Sequence, residues 1–211
     1  MEKLDYKKQF KELYQPPTKP TIIDVPEMIF FAVDGKGDPN TVPEYKEAME
    51  ILYGLSFTVK MSKMNGTQPD GYFEYVVPPL EGLLRQEGIC GIDFSRKDSF
   101  IWTSMIRQPE FVTEDVFESA KIVLAKKKPH LDLSKARLMR FTEGLCVQIM
   151  HRGPYDDEPE NVEKMRSFAE KNGYAEDFSE TRLHHEIYLS DPRKCAPERL
   201  KTVIRHPIVK I

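Results

Sequence analysis

The chain states one pattern twice, and that repetition restricts its fold more than any other feature. The segment "MIFFAVDGKGDPN" (28–40) reads as an apolar strand running into a Gly/Pro/Asn turn. Thr41 and Pro43 stand where a helix begins, and Ala48, Leu52, Leu55 and Val59 recur along one helical face. Two more strands are predicted at "YFEYVV" (72–77) and "SFIWTSMIR" (99–107), joined through "PPLEGLLRQEG". The second half repeats the order. "GLCVQIMHRGPYDDEP" is again a strand entering a Gly-Pro turn, with acidic residues leading into a helix. That helix, "ENVEKMRSFAEKNGY", turns Val162, Met165, Phe168 and Ala169 inward and stops at Gly173. "LHHEIYLSDP" and "LKTVIRHPIVK" then supply two strands.

A single strand-helix-strand-strand module would leave much of one sheet face bare. Two joined modules predict an α+β fold: a larger antiparallel sheet with helices on one face and a groove on the other, at a pseudo-two-fold junction. Module one covers about 21–110 and module two about 111–211. The second opens with an added helix, "VTEDVFESAKIVLAKKK", capped by Thr113, with acids in its first turn and lysines in its last. Ahead of both, "MEKLDYKKQFKELY" predicts a short helix that "QPPTKP" breaks, so residues 1–20 read as an arm that docks on the body or frays.

The strand at 183–189 carries the most unusual polar group. Alternation puts Leu183, His185, Ile187 and Leu189 on one face, predicted to pack under the helices. His184, Glu186 and Tyr188 fall on the other, facing the groove or plain solvent. His185 reads as a hydrogen-bonded buried histidine. Adjacent strand histidines diverge, and His151, His184 and His185 lack helical HExxH spacing, so no metal site is predicted. "VDGKGDP" lacks the rest of a phosphate-binding fingerprint, and no cofactor is expected.

Charge excludes some partners. Lys plus Arg number 31 against 34 Asp plus Glu, which gives no electrostatic reason to expect nucleic-acid binding. No apolar run approaches the roughly 20 residues that span a bilayer, and the charged start is no signal peptide, so no membrane association is expected. Cys90, Cys146 and Cys195 are widely spaced and odd in number, as suits reduced thiols in a cytoplasmic protein.

The order "FFAVDGKGDPN", "EYKEAMEILYGL", "PLEGLL", "IRQPEFVT", "EGLCVQIMHRGPYDDEP" and "HHEIYLSDPRK" resembles the GyrI-like small-molecule-binding family, across about residues 20–211. The resemblance implies a hydrophobic cleft for flat, apolar, often cationic compounds, with a central glutamate that maps to Glu186. One subfamily hydrolyses cyclopropane-bearing DNA-alkylating natural products in an aromatic-lined tunnel. Two departures stand out. Leu84 and Arg85 occupy the place after "PLEGL" where many relatives carry tryptophan, and no helix-turn-helix segment is seen, as in a stand-alone form.

On this resemblance Glu186 is the catalytic base, its pKa raised by desolvation, and Tyr155 or Tyr188 donates to developing negative charge. Tyr75, Trp102, Tyr155 and Tyr188 would border the groove, although each taken singly reads as core and Trp102 suits either role. His151 joins the ligand-binding set. Glu81 is either a loop or helix-start carboxylate or a second acid at the cleft. The implied function is binding, and hydrolysis, of planar hydrophobic xenobiotics. The alternative is a non-catalytic protein that sequesters drugs or contacts DNA gyrase.

Overall fold

The computed structural model describes residues 3–211. Two single-turn helices, α1 (Tyr6–Gln9) and α2 (Lys11–Tyr14), precede β1 (Thr21–Lys36), α3 (Pro43–Met61), β2 (Leu80–Gln86) and β3 (Phe100–Gln108). Then come α4 (Glu114–Lys127), β4 (Ala136–Arg152), α5 (Glu158–Lys171), β5 (Tyr174–Glu176), β6 (His184–Tyr188) and β7 (Lys201–Lys210). The sheet order is β4-β1-β3-β2-β6-β7-β5, and a further β4–β7 pairing closes the long strands into a barrel-like ring. Every pairing is antiparallel.

The ring closes because β4 has two partners. Its first part pairs with β1, from Ala136 to Gln148, and its last part with β7, from Cys146 to Arg152. Gly144, at φ 71°, lets the strand bend between them. An open sheet was expected from the repeat. Closure instead satisfies the edge strands, which would otherwise expose unpaired backbone groups. Each half still lays its long strands in the same order, first, third, second: β1-β3-β2 and β4-β7-β6.

The face that carries the helices follows from register. Directly paired residues project to the same side, and one rung runs Val33, Ser104, Gly82, Glu186, Ile204, Ile149. At one end, Phe31, Val33, Trp102 and Ile106 pack under Ala48, Ile51, Leu52, Leu55 and Val59 of α3, with Phe117, Ala120 and Leu124 of α4 in the same core. At the other end, Val147, Ile149, Ile204 and Ile208 pack under Met165 and Ala169 of α5. Glu186 therefore lies on the helix-bearing face, between α3 and α5. The sequence had placed it on the bare face, with His185 and Ile187 under the helices. Alternation separates two faces of a strand but does not say which one the helices cover.

The opposite face is covered by the arm. Tyr6, Leu13 and Tyr14 bury against Met28, Phe30, Ala32, Leu83, Met105, Ile187 and Val203. Polar contacts fix the same docking: Arg205 donates to the Leu13 carbonyl, Gln148 to the Glu12 carbonyl, and the Tyr14 hydroxyl to Glu81. The expected helix breaks at Phe10 into two single turns ahead of the prolines, and the arm holds by these contacts rather than by helical length.

Two strand predictions shift. The segment 72–77 is irregular, its ladder contact a parallel bridge from Tyr75 to Leu4. The strand falls instead on "LEGLLRQ", which had read as a connector, because β2 is buried on both faces and shows no alternation.

Candidate functional site

Glu186 is only 6 % exposed and is held from several sides. His184 Nε2 lies 2.9 Å from Glu186 Oε1, and both side chains project from the same face of β6. Tyr188 projects from the same face of β6 as Glu186, and Glu158 at the start of α5 brings a carboxyl oxygen within 4.8 Å of the Glu186 carboxyl. Burial acts to raise the Glu186 pKa, but the His184 hydrogen bond and charge, with Tyr188 and Glu158 close by, outweigh it, so the carboxyl is held below its ordinary value. The expected upward shift is thus reversed. It appears on Glu158 instead, which is fully buried and pushed well above the usual range by burial and by the Glu186 charge.

Neither Glu158 oxygen has a donor aimed at it, whereas Glu186 accepts from His184. A buried carboxylate without donors is costly, so a proton held by this pair is favoured on Glu158. Their surroundings push the two carboxyls apart, Glu158 upward and Glu186 downward.

Aromatic residues surround the pair. Tyr155, in the turn before α5, meets Tyr188 edge to face at 5.9 Å, and Tyr45 of α3 meets Trp102 likewise at 5.1 Å. Tyr45, Tyr155 and Tyr188 all feel the Glu186 charge, and burial plus that charge raise each phenol, Tyr155 to about 12. All three stay protonated near neutral pH and act as hydrogen-bond donors. Two glycines make room. A Cβ on Gly82 would sit 3.1 Å from the Tyr188 hydroxyl, and one on Gly35 would overlap the indole of Trp102. Gly35→Ala should therefore displace the only tryptophan and cost roughly 1–3 kcal/mol. A changed Trp102 emission spectrum together with a lower melting temperature checks this; an unchanged spectrum would mean that the indole does not rest on Gly35.

Three expected site residues lie elsewhere. Tyr75 belongs to the arm-side core, since its segment follows Leu4 rather than the sheet. Glu81 is on β2 but on the arm side, with its Oε2 3.0 Å from His185 Nε2. It is neither a loop nor a helix-start carboxylate, and it forms no second acid beside Glu186. His151 shares the helix-bearing face, but its ring is engaged by the Pro154 carbonyl at 2.8 Å and Asn161 at 2.7 Å. It braces the turn that carries Tyr155. Leu84, where many relatives carry tryptophan, packs in the α3 core beside Trp102.

Glu158 and Tyr45 are the functional candidates that the sequence reading missed. Glu158 follows two aspartates at a helix start, where acids are ordinary, so nothing marked it. Tyr45 could have been found by extending the α3 apolar stripe back three residues from Ala48.

Glu158, His184 and Glu186 each offer a ligand atom, all within 4.8 Å of one another. His184 Nε2 is within hydrogen-bond distance of Glu186 Oε1. His184 and His185 do point to opposite faces. Two surface depressions, of about 490 Å3 beside His151 and Lys164 and about 170 Å3 between Glu27 and Arg107, exclude Glu186. Among the described residues no helix is long and apolar enough to cross a membrane.

Three solved structures from Listeria innocua share this architecture over their whole length. One, described as an uncharacterized conserved protein, is 51% identical over 98% of this chain and 100% of its own, with a TM-score of 0.93. Two described as hydrolases are 49% and 50% identical over 98% and 99% of this chain and 100% of theirs, with TM-scores of 0.90 and 0.92. The C-terminal domain of EcmrR, 13% identical over 92% of this chain and 98% of its own with a TM-score of 0.54, shares the fold alone. No curated protein gives a significant match. Residues 18–209 match the model of the GyrI-like small molecule binding domain, and with that span the chain belongs to the GyrI-like family.

Proposed function

We propose that this protein is a hydrolase of planar, hydrophobic, strained electrophiles, of which cyclopropane-bearing DNA alkylators are the type. The observation that carries this is an ionised, almost fully buried Glu186 among Trp102, Tyr45, Tyr155 and Tyr188. Homologues at about half identity, described as hydrolases, support it. On this reading residues 21–110 and 111–211 are pseudo-symmetric modules that meet where β2 pairs with β6 and where β1 pairs with β4, and the ligand enters between α3 and α5.

The chemistry suits these groups. Water attacks the strained ring carbon while Glu186 takes its proton, so a C–O bond forms as the ring C–C bond breaks. The released electron pair runs into the conjugated dienone and ends on its oxygen, which is then protonated to a phenol. Tyr155 or Tyr188 donates a hydrogen bond to that oxygen as charge builds. Trp102 Nε1 is buried without an acceptor among the described residues and offers a further donor for the ligand. Aromatic walls hold the flat ring system and keep out bulk water.

Turnover decides the matter. An enzyme consumes many equivalents of a cyclopropane-bearing alkylator, with product growing linearly in time. A sequestering protein protects one equivalent and stops, which would sink the hydrolytic reading. A planar ligand should also quench Trp102 fluorescence on binding, a signal with a single source. Tyr155→Ala and Tyr188→Ala should each weaken binding several-fold, since stacked aromatic contacts contribute roughly 0.5–1.5 kcal/mol beyond area burial. Unchanged affinity with a much lower melting temperature would make both residues plain core.

A further inference from the structure

Behind Glu186 stands a row of side chains with no part in the chemistry above. His184 Nδ1 lies 2.7 Å from His206 Nε2, and His206 Nδ1 lies 2.7 Å from Glu176 Oε1. With the His184–Glu186 contact at 2.9 Å, the row runs Glu186, His184, His206, Glu176, from the buried site on β6 across β7 to the partly exposed side chain on β5. Phe94 and Phe178 stack edge to face on the two rings and shield them from water.

Counting protons fixes the charge of this row. Each contact joins two lone-pair atoms, so each needs one proton. Against ionised carboxylates the outer protons sit on nitrogen, at His184 Nε2 and His206 Nδ1. The contact between the rings needs a third. Two neutral imidazoles supply two protons, so the pair must hold one more.

We propose that His184 and His206 share a single positive charge that holds buried Glu186 ionised and leaves the proton of the acid pair on Glu158. The two histidines and Glu176 are positioning residues for the base, and this role rests on the reading of Glu186 given above. Burial depresses His206 to about 4 against the opposing pull of its Glu176 hydrogen bond, so the geometry of the contacts, and not His206 alone, carries the shared charge. The other groups facing the row fit this polarity. Glu158 from α5, Tyr188 from β6 and Tyr45 from α3 surround Glu186, and Lys97, the nearest cation to Glu158, is paired with Asp156 at 2.7 Å. Glu143 of β4 adds a weaker negative field at His206. His184 is thus the only cation in hydrogen-bond contact with Glu186 among the described residues.

Nitrogen-15 NMR of the histidine rings in the resting, full-length protein tests the charge without any substrate. Three ring N–H protons on the two residues at neutral pH are expected. Two protons, or four, would overturn the proposal. So would a zinc titration that shifts His184 nitrogen at stoichiometric metal, because the group would then be a ligand set. The functional arm compares pH–rate profiles. Glu176→Gln keeps an acceptor for His206 but removes its counter-charge, and His206→Phe removes the shared proton. The acid limb, which reports Glu186, should move to higher pH in both, by more in His206→Phe, with a shift there on the order of one unit. A role in packing alone would lower the rate equally at every pH and leave the limb in place, which refutes the proposal. If wild type shows three protons but Glu186→Gln turns over normally, the hydrolytic reading fails and the charge assignment stands.

Discussion

Glu186→Gln is expected to lower kcat/KM for a cyclopropane-bearing alkylator by roughly 10²–10⁴-fold, the usual loss on removing a general base. Fold and ligand binding should survive. The amide has the same shape, and its carbonyl can still accept from His184 Nε2, now 2.9 Å from Glu186 Oε1. It cannot take a proton from water at neutral pH. Glu158→Gln makes the informative contrast. If Glu158 is already neutral, an amide there leaves the charge unchanged, and the loss should be much smaller. The check is single-turnover kinetics of both variants beside a fluorescence titration. Near-normal turnover by Glu186→Gln would remove this residue from the mechanism, and equal losses in the two variants would undo their separate roles.

Arg205→Met should be the most damaging substitution away from the site, destabilising the fold by roughly 3–5 kcal/mol. Arg205 is fully buried on the arm side. It bonds Glu143 at 2.8 Å, Gln148 at 3.1 Å and the Leu13 carbonyl at 2.8 Å, so one side chain ties β7 to β4 and to the arm. His185 completes the cluster, 3.0 Å from both Glu81 and Glu143. Two carboxylates thus face two cations in a buried setting, and removing one cation strands a buried negative charge. For a chain of this size the melting temperature should fall by roughly 6–20 °C. A drop of only a degree or two would show that the network contributes little.

The same cluster makes stability depend on pH. Burial opposes the charge on His185, but Glu143 and then Glu81 raise its pKa from 6.5 to about 9. A raised folded-state value gives stability that is complete below 6.5 and lost as pH climbs through 9. Burial likewise opposes ionisation of Glu143, and the His185 and Arg205 charges overcome it to bring Glu143 from 4.5 to about 2. That contribution is complete above 4.5 and lost as pH falls through 2. The network is therefore at full strength between pH 4.5 and 6.5, and the melting temperature should decline from there towards pH 9. His185→Gln should abolish the alkaline decline. If the slope is unaltered in that variant, His185 is not its source.

Local order was legible in the sequence because it depends on near neighbours. The α3 stripe, Ala48, Leu52, Leu55 and Val59, is buried as its spacing implies, and Thr113 caps α4 by accepting from the Val116 N–H. The first half runs strand, helix, strand, strand as read, with its middle strand at Leu80–Gln86, while the second half adds the short β5 between α5 and β6. Strand β2 was hidden because burial on both faces erases the alternation by which a strand is recognised. Tyr75 misled because an aromatic, β-branched run looks like a strand even where it forms only one bridge.

Of the site, the sequence by itself determined that His184, Glu186 and Tyr188 share one face and that His185 takes the other, since the strand period is two. Trp102, Tyr155 and Tyr188 were named among the aromatics, but nothing in the linear order joins them to Tyr45 or Glu158. Only the tertiary structure decided which face the helices cover, and with it the roles of the charges. Closure of the ring put Glu186 beneath α3 and α5 and His185 beneath the arm. Two carboxylates far apart in sequence, Glu158 and Glu186, then came into contact, and so did His184 and His206. Which of them carries a proton depends on distances across the fold, because a buried charge is set by the groups packed against it and not by its neighbours along the chain.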